Sequence, residues 1–288
     1  MKKVLFIIVA FLTLVNFSSA QEKVFQTFKD TRVVNGHSVE TLKAHRLDFR
    51  VTHRFGDFAG DLGGWQSFYG LENSTDVGIE FDYGVSDNFM VGLMRTKGAG
   101  PIKQLVSGFA KIKLVGQEVN GKNPLTMTVL ALASYSTMPK SENEGRLNYF
   151  AKSSHRLAYH LEFLMARKLS NAFSLQVTGA WTYRNIVTSD DQNDLPSLSA
   201  ALKWQCSKSF GFLLESRYMF SSLRTSENNY FPEYGFGFEW ETGGGHVFQL
   251  NLTNSTGIVE TDYIPYTTSD ISKGQFRIGF TISRQFRL

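Results

Sequence analysis

Hydrophobic and polar residues alternate with a period of two along most of the chain after Gln21. The clearest segment alternates the large residues Leu47, Phe49, Val51, His53 and Phe55 with Asp48, Arg50, Thr52 and Arg54. Similar segments of about ten residues follow, separated by turn residues, and no long stretch has the 3.6-residue period of an amphipathic helix. The pattern predicts twelve β-strands, at residues 46–55, 76–85, 88–97, 103–115, 125–138, 155–168, 173–185, 197–206, 210–221, 233–242, 246–254 and 275–287.

The connections between these strands alternate in length. Short turns follow the even-numbered strands, at residues 86–88, 116–124, 170–172, 207–209 and 242–245. Longer polar loops follow the odd-numbered strands, at residues 56–75, 139–154, 186–196, 222–232 and 255–274, with 98–102 as the short exception. This alternation is typical of a transmembrane barrel, which has periplasmic turns at one end and exposed loops at the other.

A soluble β-sandwich or a lipocalin-like barrel would also show alternating strands. Here, however, one face carries large apolar residues on nearly every strand, and the other carries Arg, Glu, Gln and Gly. Aromatic residues concentrate near strand ends, as in a membrane girdle. Alternation also continues to the C-terminus, although Leu288 stands where a final aromatic is usual. The sequence therefore predicts an all-β fold, a single transmembrane up-and-down antiparallel β-barrel of about 12 strands.

The N-terminus has the features of a secretory signal. A basic start at Lys2 and Lys3 precedes an apolar run at residues 4–15, and small residues stand at 18 and 20. We expect a signal peptide at residues 1–20, cleaved near Ala20, and export to the bacterial outer membrane. Residues 21–45 are then a periplasmic lead-in or a lumen plug, and residues 46–288 form the barrel. The expected partners are outer-membrane lipid and the barrel-assembly machinery.

Composition excludes several other classes. A mean hydropathy of −0.18 is too polar for a helical transporter with many spans. The formal net charge of +4 falls to +2 once Lys2 and Lys3 are removed, so we expect no nucleic acid partner. The single cysteine, Cys206, excludes an intrachain disulfide and a cysteine-cluster metal site.

Two blocks in the first third of the chain resemble a known family. They are Thr31-Arg32-Val33-Val34-Asn35-Gly36-His37-Ser38-Val39-Glu40-Thr41-Leu42 with the following 47–56, and Asp82-Tyr83-Gly84-Val85-Ser86-Asp87-Asn88-Phe89-Met90-Val91-Gly92. The chain resembles an uncharacterised outer-membrane β-barrel family, a domain of unknown function, of Gram-negative (Bacteroidota-type) bacteria. The resemblance implies a barrel and supplies no activity and no catalytic residues.

If the apolar face lies outward, the charged positions on the other face line the lumen. These predicted lumen residues are Asp48, Arg50, Arg54, Glu80, Asp82, Lys111, Lys113, Arg156, Glu162, Arg184, Lys203, Glu215, Arg217, Glu239, Glu241 and Arg277, together with His160. Cations and anions are nearly balanced among them. A balanced lumen indicates cross-strand ion pairs that fill a narrow barrel or line a pore of low selectivity.

The sequence offers no clear metal or catalytic site. His37, His45 and His53 recur at intervals of eight residues, which matches no ligand motif, and we expect no metal and no cofactor. Ser153, Ser154, His155 and His160 could serve a hydrolase by composition, but no nucleophile motif is present, so we expect no enzyme. The acidic stretch 190–194 lacks the glycine and distal glutamate of a calcium loop and is expected to be a solvated loop.

Three functions remain at this point. A passive pore for small solutes is the leading hypothesis. The alternative is a closed structural or partner-bound envelope barrel without transport. A distant third is an outer-membrane hydrolase, which would need a serine or aspartate pair that the sequence does not show.

Overall fold

Twelve antiparallel strands close into one barrel in the computed structural model, which describes residues 23–288. Each strand pairs with the next along the chain, and β1 pairs with β12 to complete the ring. The strands are β1 Arg46–Phe55, β2 Ser74–Ser86, β3 Phe89–Thr96, β4 Leu105–Val115, β5 Thr126–Ser136, β6 Leu157–Lys168, β7 Phe173–Arg184, β8 Asp194–Gln205, β9 Phe210–Met219, β10 Glu233–Glu241, β11 His246–Thr253 and β12 Arg277–Arg287. The predicted up-and-down barrel of twelve strands is confirmed. The predicted signal peptide lies outside the described residues.

In the described part of the chain, helical structure is confined to short turns in the loops. One α-helical turn, Glu260–Tyr263, lies between β11 and β12. The 3₁₀ turns are Trp65–Ser67, Leu147–Tyr149, Ser153–Arg156, Ser226–Asn228 and Ile271–Lys273. Within residues 23–288, none of the helices is long and apolar enough to cross a membrane.

The outer face of the barrel is apolar and carries two belts of aromatic residues. Trp181 and Tyr218 lie exposed near the long-loop end, and Trp204 and Trp240 lie exposed near the short-turn end. Amphipathic rings of this kind sit at the two interfaces of a bilayer. The apolar outer face of the barrel therefore points toward lipid.

The inner face is polar on most strands but apolar on one side. On β3 to β6, inward positions hold the buried side chains Met90, Met94, Leu105, Phe109, Leu130, Leu132 and Leu164. The sequence analysis placed large apolar residues on the lipid face only, and that description was incomplete. On β4 and β5 the inner face carries large apolar side chains such as Phe109, Leu130 and Leu132 beside polar ones, so the period-two pattern did not identify the lumen side there.

Candidate functional site in the barrel lumen

Residues 23–45, which we call the luminal segment, run inside the barrel ahead of β1. The segment begins at the short-turn end, where Val24 N–H donates to Gln117 O at 2.8 Å. Its residues 27–39 are all buried. It returns to the same end, where His45 N–H donates to Gly84 O at 2.8 Å, and continues into β1. Sequence analysis left open whether this stretch is a periplasmic lead-in or a lumen plug. In the structure its buried residues 27–39 lie within the lumen.

The deepest part of the segment is a tight hairpin at residues 33–36. Val33 N–H donates to Gly36 O at 2.9 Å, and an isolated bridge joins Arg32 to His37. A carboxylate of the wall caps the turn, because the backbone N–H groups of Val34, Asn35 and Gly36 all donate to Glu215, at 2.9, 2.9 and 3.0 Å. Three backbone donors on one carboxylate satisfy a buried charge that would otherwise be costly.

Further contacts fix the hairpin against β1 and β10. Asn35 donates through its amide to Glu233 and accepts from Arg54 Nη1 at 2.8 Å. Val34 packs on β10 where that strand has no side chains, since a Cβ at Gly235 would lie 2.9 Å from Val34 Cβ. The two inward glycines, Gly235 and Gly237, thus make room for the hairpin.

A buried ion-pair network joins the segment to β1 and β2. Asp30 Oδ2 accepts from Arg50 Nη1 at 2.7 Å, and Arg50 also donates to Asp48 at 2.9 Å. Arg32 donates to both oxygens of Glu80, at 3.0 and 3.2 Å. Because these side chains are nearly all inaccessible, each charge depends on its partner.

Polar and apolar contacts hold the two limbs of the segment near the short-turn end. Glu40 accepts from the backbone N–H of Thr27 at 2.7 Å and pairs with Lys113 at 3.2 Å. Phe28 and Val39 belong to the buried apolar cluster that includes the inward side chains of β3 to β6. The segment is therefore amphipathic, with one side matched to each half of the lumen wall.

From the opposite end, the connection between β11 and β12 also folds into the barrel. In this inward loop, residues 254–276, positions 257–265 are all buried. Its first part is fixed by Asp76, which accepts from Ile258 N–H at 3.0 Å. Asp262 accepts from Ala99 N–H and Gly100 N–H at 2.8 and 2.9 Å. The sequence analysis counted this loop, as residues 255–274, among the long polar loops at the exposed end of the barrel, which was wrong for its central part.

The luminal segment and the inward loop meet in the middle of the barrel. Arg32 donates to Glu260 at 3.1 Å, so this one guanidinium contacts both the wall and the loop. His37 Nε2 lies 3.7 Å from the same carboxylate. The two insertions therefore enter the lumen from opposite ends and touch within it.

A second ion-pair group closes the long-loop end. Asp191 accepts from Arg184 at 2.9 Å and from Arg224 at 2.8 Å, and Arg184 also donates to the Tyr266 hydroxyl. Burial tends to raise the pKa of Asp191, but the hydrogen bond and charge of Arg184, with the charge of Arg224, hold it below its usual value. This aspartate, predicted to be merely solvated, ties two long loops together.

The structure places most of the predicted lumen residues on the inner wall and joins several of them. Besides the contacts above, His160 lies 3.1 Å from Glu162, which accepts from Arg217 at 2.8 Å, and Lys203 pairs with Glu239 at 3.2 Å. The buried members are Asp48, Arg50, Arg54, Glu80, Asp82, Lys111, His160, Glu162, Arg184, Lys203, Glu215, Arg217 and Glu239.

Four predicted lumen residues lie at the rims. Arg156 belongs to a 3₁₀ turn and donates to the carbonyls of Ser136 and Met138, at and just after the end of β5. Arg277 donates to Ser269 at the long-loop end. Glu241, half exposed, pairs with Lys29 at the short-turn end, and Lys113 is partly buried beside Glu40.

Sequence reasoning missed the partners of these wall charges. Asp30 and Arg32 were not singled out, although the Asn35-Gly36 turn pair signals a hairpin just beyond them. Glu260 and Asp262 lie in the loop 255–274, which was predicted to be polar and exposed, although Ile258, Val259 and Ile264 around them are unusually apolar for an exposed loop.

The three histidines at eight-residue spacing lie in separate environments. His37 is inside the lumen beside Phe109, His45 is exposed near the start of β1, and His53 stacks on Phe280. In residues 23–288, no group of three or more His, Cys, Asp or Glu side chains is placed to hold a metal ion.

Comparison with known families adds one match. A family model described as "Membrane bound beta barrel domain (DUF5777)" matches residues 28–286, so it spans most of the luminal segment as well as the barrel. The resemblance to an uncharacterised barrel family is confirmed. No curated protein matches the chain.

Solved structures with a similar fold are outer-membrane porins and channels. The NanC porin has a TM-score of 0.50 at 8% identity, over 84% of this chain and 100% of that one. The KdgM porin has a TM-score of 0.50 at 7% identity, over 84% and 99%. An outer membrane channel from Pseudomonas putida F1 has a TM-score of 0.52 at 9% identity, over 86% and 98%. At such low identity the likeness concerns the fold alone.

Proposed function

Since the chain belongs to the membrane bound beta barrel domain family DUF5777, a bacterial outer-membrane barrel, we propose that it is a channel for small solutes closed by its own luminal segment. The channel opens when residues 23–45 withdraw from the barrel. The proposal rests on one observation, the burial of residues 27–39 against a charged lumen wall. It includes insertion by the barrel-assembly machinery and no enzymatic activity.

The path of the segment supports withdrawal. Both of its ends lie at the short-turn end of the barrel, where Val24 contacts Gln117 and His45 contacts Gly84. The hairpin between them can leave by that mouth without threading a chain end through the lumen. Many of its contacts are hydrogen bonds and ion pairs, which water replaces once the lumen is hydrated.

The lining supports a water-filled open state. A barrel filled permanently gains more from apolar packing than from buried ion pairs, because desolvation offsets most of the attraction between charges. Here the wall keeps Arg50, Glu80, Glu215 and Glu233 at the segment surface. These side chains would line a hydrated pore after withdrawal.

A closed structural barrel is the second candidate. It is favoured by the apolar side of the segment, where Phe28, Val39 and Leu42 share a buried cluster with Met90 and Leu130. Exposing these side chains opposes withdrawal. The two candidates differ in whether the full chain ever conducts.

A reversible tether between the segment and the wall tests the proposal. A Cβ at Gly237 would lie 3.3 Å from Val34 Cγ2, which suits a disulfide. We would measure single-channel conductance of the mature Val34→Cys/Gly237→Cys chain in planar bilayers, with the exposed Cys206 changed to Ser. The Val34→Cys and Gly237→Cys single variants, treated identically, are the matched controls.

Openings in the reduced protein that disappear on oxidation and return on reduction support the channel. The single-cysteine controls should open under both conditions. If folded, inserted protein stays silent in the wild-type, reduced and control forms, the channel proposal fails and the closed barrel stands. Equal openings in the oxidised and reduced double variant would show that current does not require the segment to move.

A further inference from the structure

The short-turn end of the barrel contains a cavity of about 270 Å³ between the luminal segment and the wall. Residues 25–27 and Lys29 form its inner side, and the ends of β6, β7 and β8 with their turns form its outer side. Its lining includes four lysines and no carboxylate. The lining lysines are Lys29, Lys168, Lys203 and Lys208.

Two of these lysines are buried, Lys168 is partly buried with its Nζ donating to Phe25 O at 3.2 Å, and Lys208 is exposed. Lys29 and Lys203 have side chains only 7% and 6% exposed, and they pair with Glu241 and Glu239 at 3.0 and 3.2 Å. Neither glutamate lines the cavity. With Lys168 and Lys208 added, four positive charges face two negative ones, so the cavity keeps a surplus of two positive charges.

Polar groups suited to an oxyanion complete the lining. The amide of Asn171 and the hydroxyls of Ser174 and Thr27 lie among the lysines. A phosphate group offers several acceptor oxygens, and ammonium, amide and hydroxyl donors can satisfy them together. The apolar contribution is limited to Phe25, which stands 80% exposed at the rim.

A neighbouring cavity at the same end has a different character. It is larger, about 520 Å³, and also has lysines, including Lys43 and Lys113. Its lining contains Glu40 and Asp87, which pair with Lys113 and Lys43 at 3.2 and 3.8 Å. Lysines are therefore common at this end, but only the smaller of these two cavities lacks a carboxylate lining.

We propose that the smaller cavity binds a phosphate-bearing anion. The group is a free phosphate or phosphate ester of the periplasm, or the headgroup of an anionic phospholipid in the adjacent leaflet. Because Lys29 belongs to the luminal segment and the other three lysines to the wall, the bound anion also links the segment to the barrel. Binding itself does not depend on whether the barrel conducts.

The test compares a cavity variant with a variant of equal charge. Lys168→Gln/Lys208→Gln removes two charges from the cavity, and Lys122→Gln/Lys140→Gln removes two exposed charges elsewhere. Inorganic phosphate would be titrated into each full mature chain in neutral detergent at constant ionic strength, with heat as the readout. We expect the cavity variant to bind at least about tenfold more weakly than wild type, since charge-assisted hydrogen bonds are lost, and the control to bind as wild type.

A second measurement distinguishes the two sources of phosphate. Thermal unfolding would be followed in nanodiscs of phosphatidylcholine with and without phosphatidylglycerol, for the same three proteins. Stabilisation by phosphatidylglycerol that the cavity variant loses and the control keeps supports a lipid headgroup. Loss of phosphate binding alone supports a free anion. Equal behaviour of the cavity and control variants in both measurements overturns the proposal, since it would show only diffuse attraction to a basic surface.

Discussion

Arg32→Met removes the side chain of the luminal segment that pairs with both the wall and the inward loop. In the closed barrel this guanidinium donates to Glu80 at 3.0 and 3.2 Å and to Glu260 at 3.1 Å. The side chains are 7%, 3% and 0% exposed. Methionine keeps most of the volume but leaves two buried carboxylates without this partner.

The magnitude follows from the burial. Breaking a buried ion pair by removing one partner destabilises a structure by about 3–5 kcal/mol. In the withdrawn state both carboxylates are hydrated, so the loss applies to the closed state alone. The population with a withdrawn segment should therefore rise by roughly two to three and a half orders of magnitude.

A buried cysteine reports this population. With Cys206 changed to Ser, Val34→Cys places one thiol at the hairpin, 5% exposed at that position. The rate at which a water-soluble maleimide labels it is proportional to the withdrawn population when closing is fast. We expect Arg32→Met to accelerate labelling by that factor.

Lys43→Met in the same segment is the matched control. Lys43 and Asp87 lie 3.8 Å apart with side chains 73% and 62% exposed. An exposed pair contributes at most about 1 kcal/mol, so labelling should change about fivefold or less. If Arg32→Met labels no faster than this control, the ion pairs of Arg32 do not hold the segment, and the reasoning is refuted.

Three further outcomes are expected. Burial raises the pKa of Asp262 to about 7, although the N–H groups of Ala99 and Gly100 oppose the shift. The inward loop should therefore lose stability as the pH rises from about 3.8 to 7, and protease should cleave it faster at neutral than at acid pH. In Asp262→Asn this dependence should vanish. Gly84→Ala should destabilise the barrel by about 1–3 kcal/mol through overpacking, because its Cβ would overlap the carbonyl oxygen of Lys43, and should therefore lower the unfolding temperature seen as a gel shift. Gly179→Ala, with open space around the Cβ, should leave that temperature unchanged. Glu239→Lys with Glu241→Lys should leave insertion normal and shift the reversal potential of open channels toward the equilibrium potential of the anion. An unchanged reversal potential would contradict a lumen role for these side chains.

The strands were predictable because their signal is local. Period-two alternation recovered the bounds of β1, residues 46–55, without error. The largest shift at a strand start is in β8, predicted from residue 197 and observed from Asp194. Pro196 lies near the start of that strand, and a proline, which has no N–H donor, is read from sequence as part of the preceding loop.

The filled lumen was less predictable because its contacts are distant in sequence. Arg32 meets Glu80 and Glu260, which lie 48 and 228 residues away. No periodicity marks such pairs, and a charged residue in a segment without strand pattern is as compatible with solvent as with a buried partner. The burial of the inward loop was missed for the same reason, since the backbone N–H groups that donate to Asp262 belong to residues 99 and 100, far away in sequence.

The apolar side of the lumen gives the closed state an unusual response to temperature. Withdrawal of the segment transfers Phe28, Val39 and Leu42, and the wall side chains behind them, from a buried cluster into water. Exposure of apolar surface raises the heat capacity, so the free energy of withdrawal is a curved function of temperature with a maximum. Below that maximum the apolar contribution weakens on cooling. If the segment withdraws as proposed, cooling below that maximum should therefore raise the fraction of open barrels.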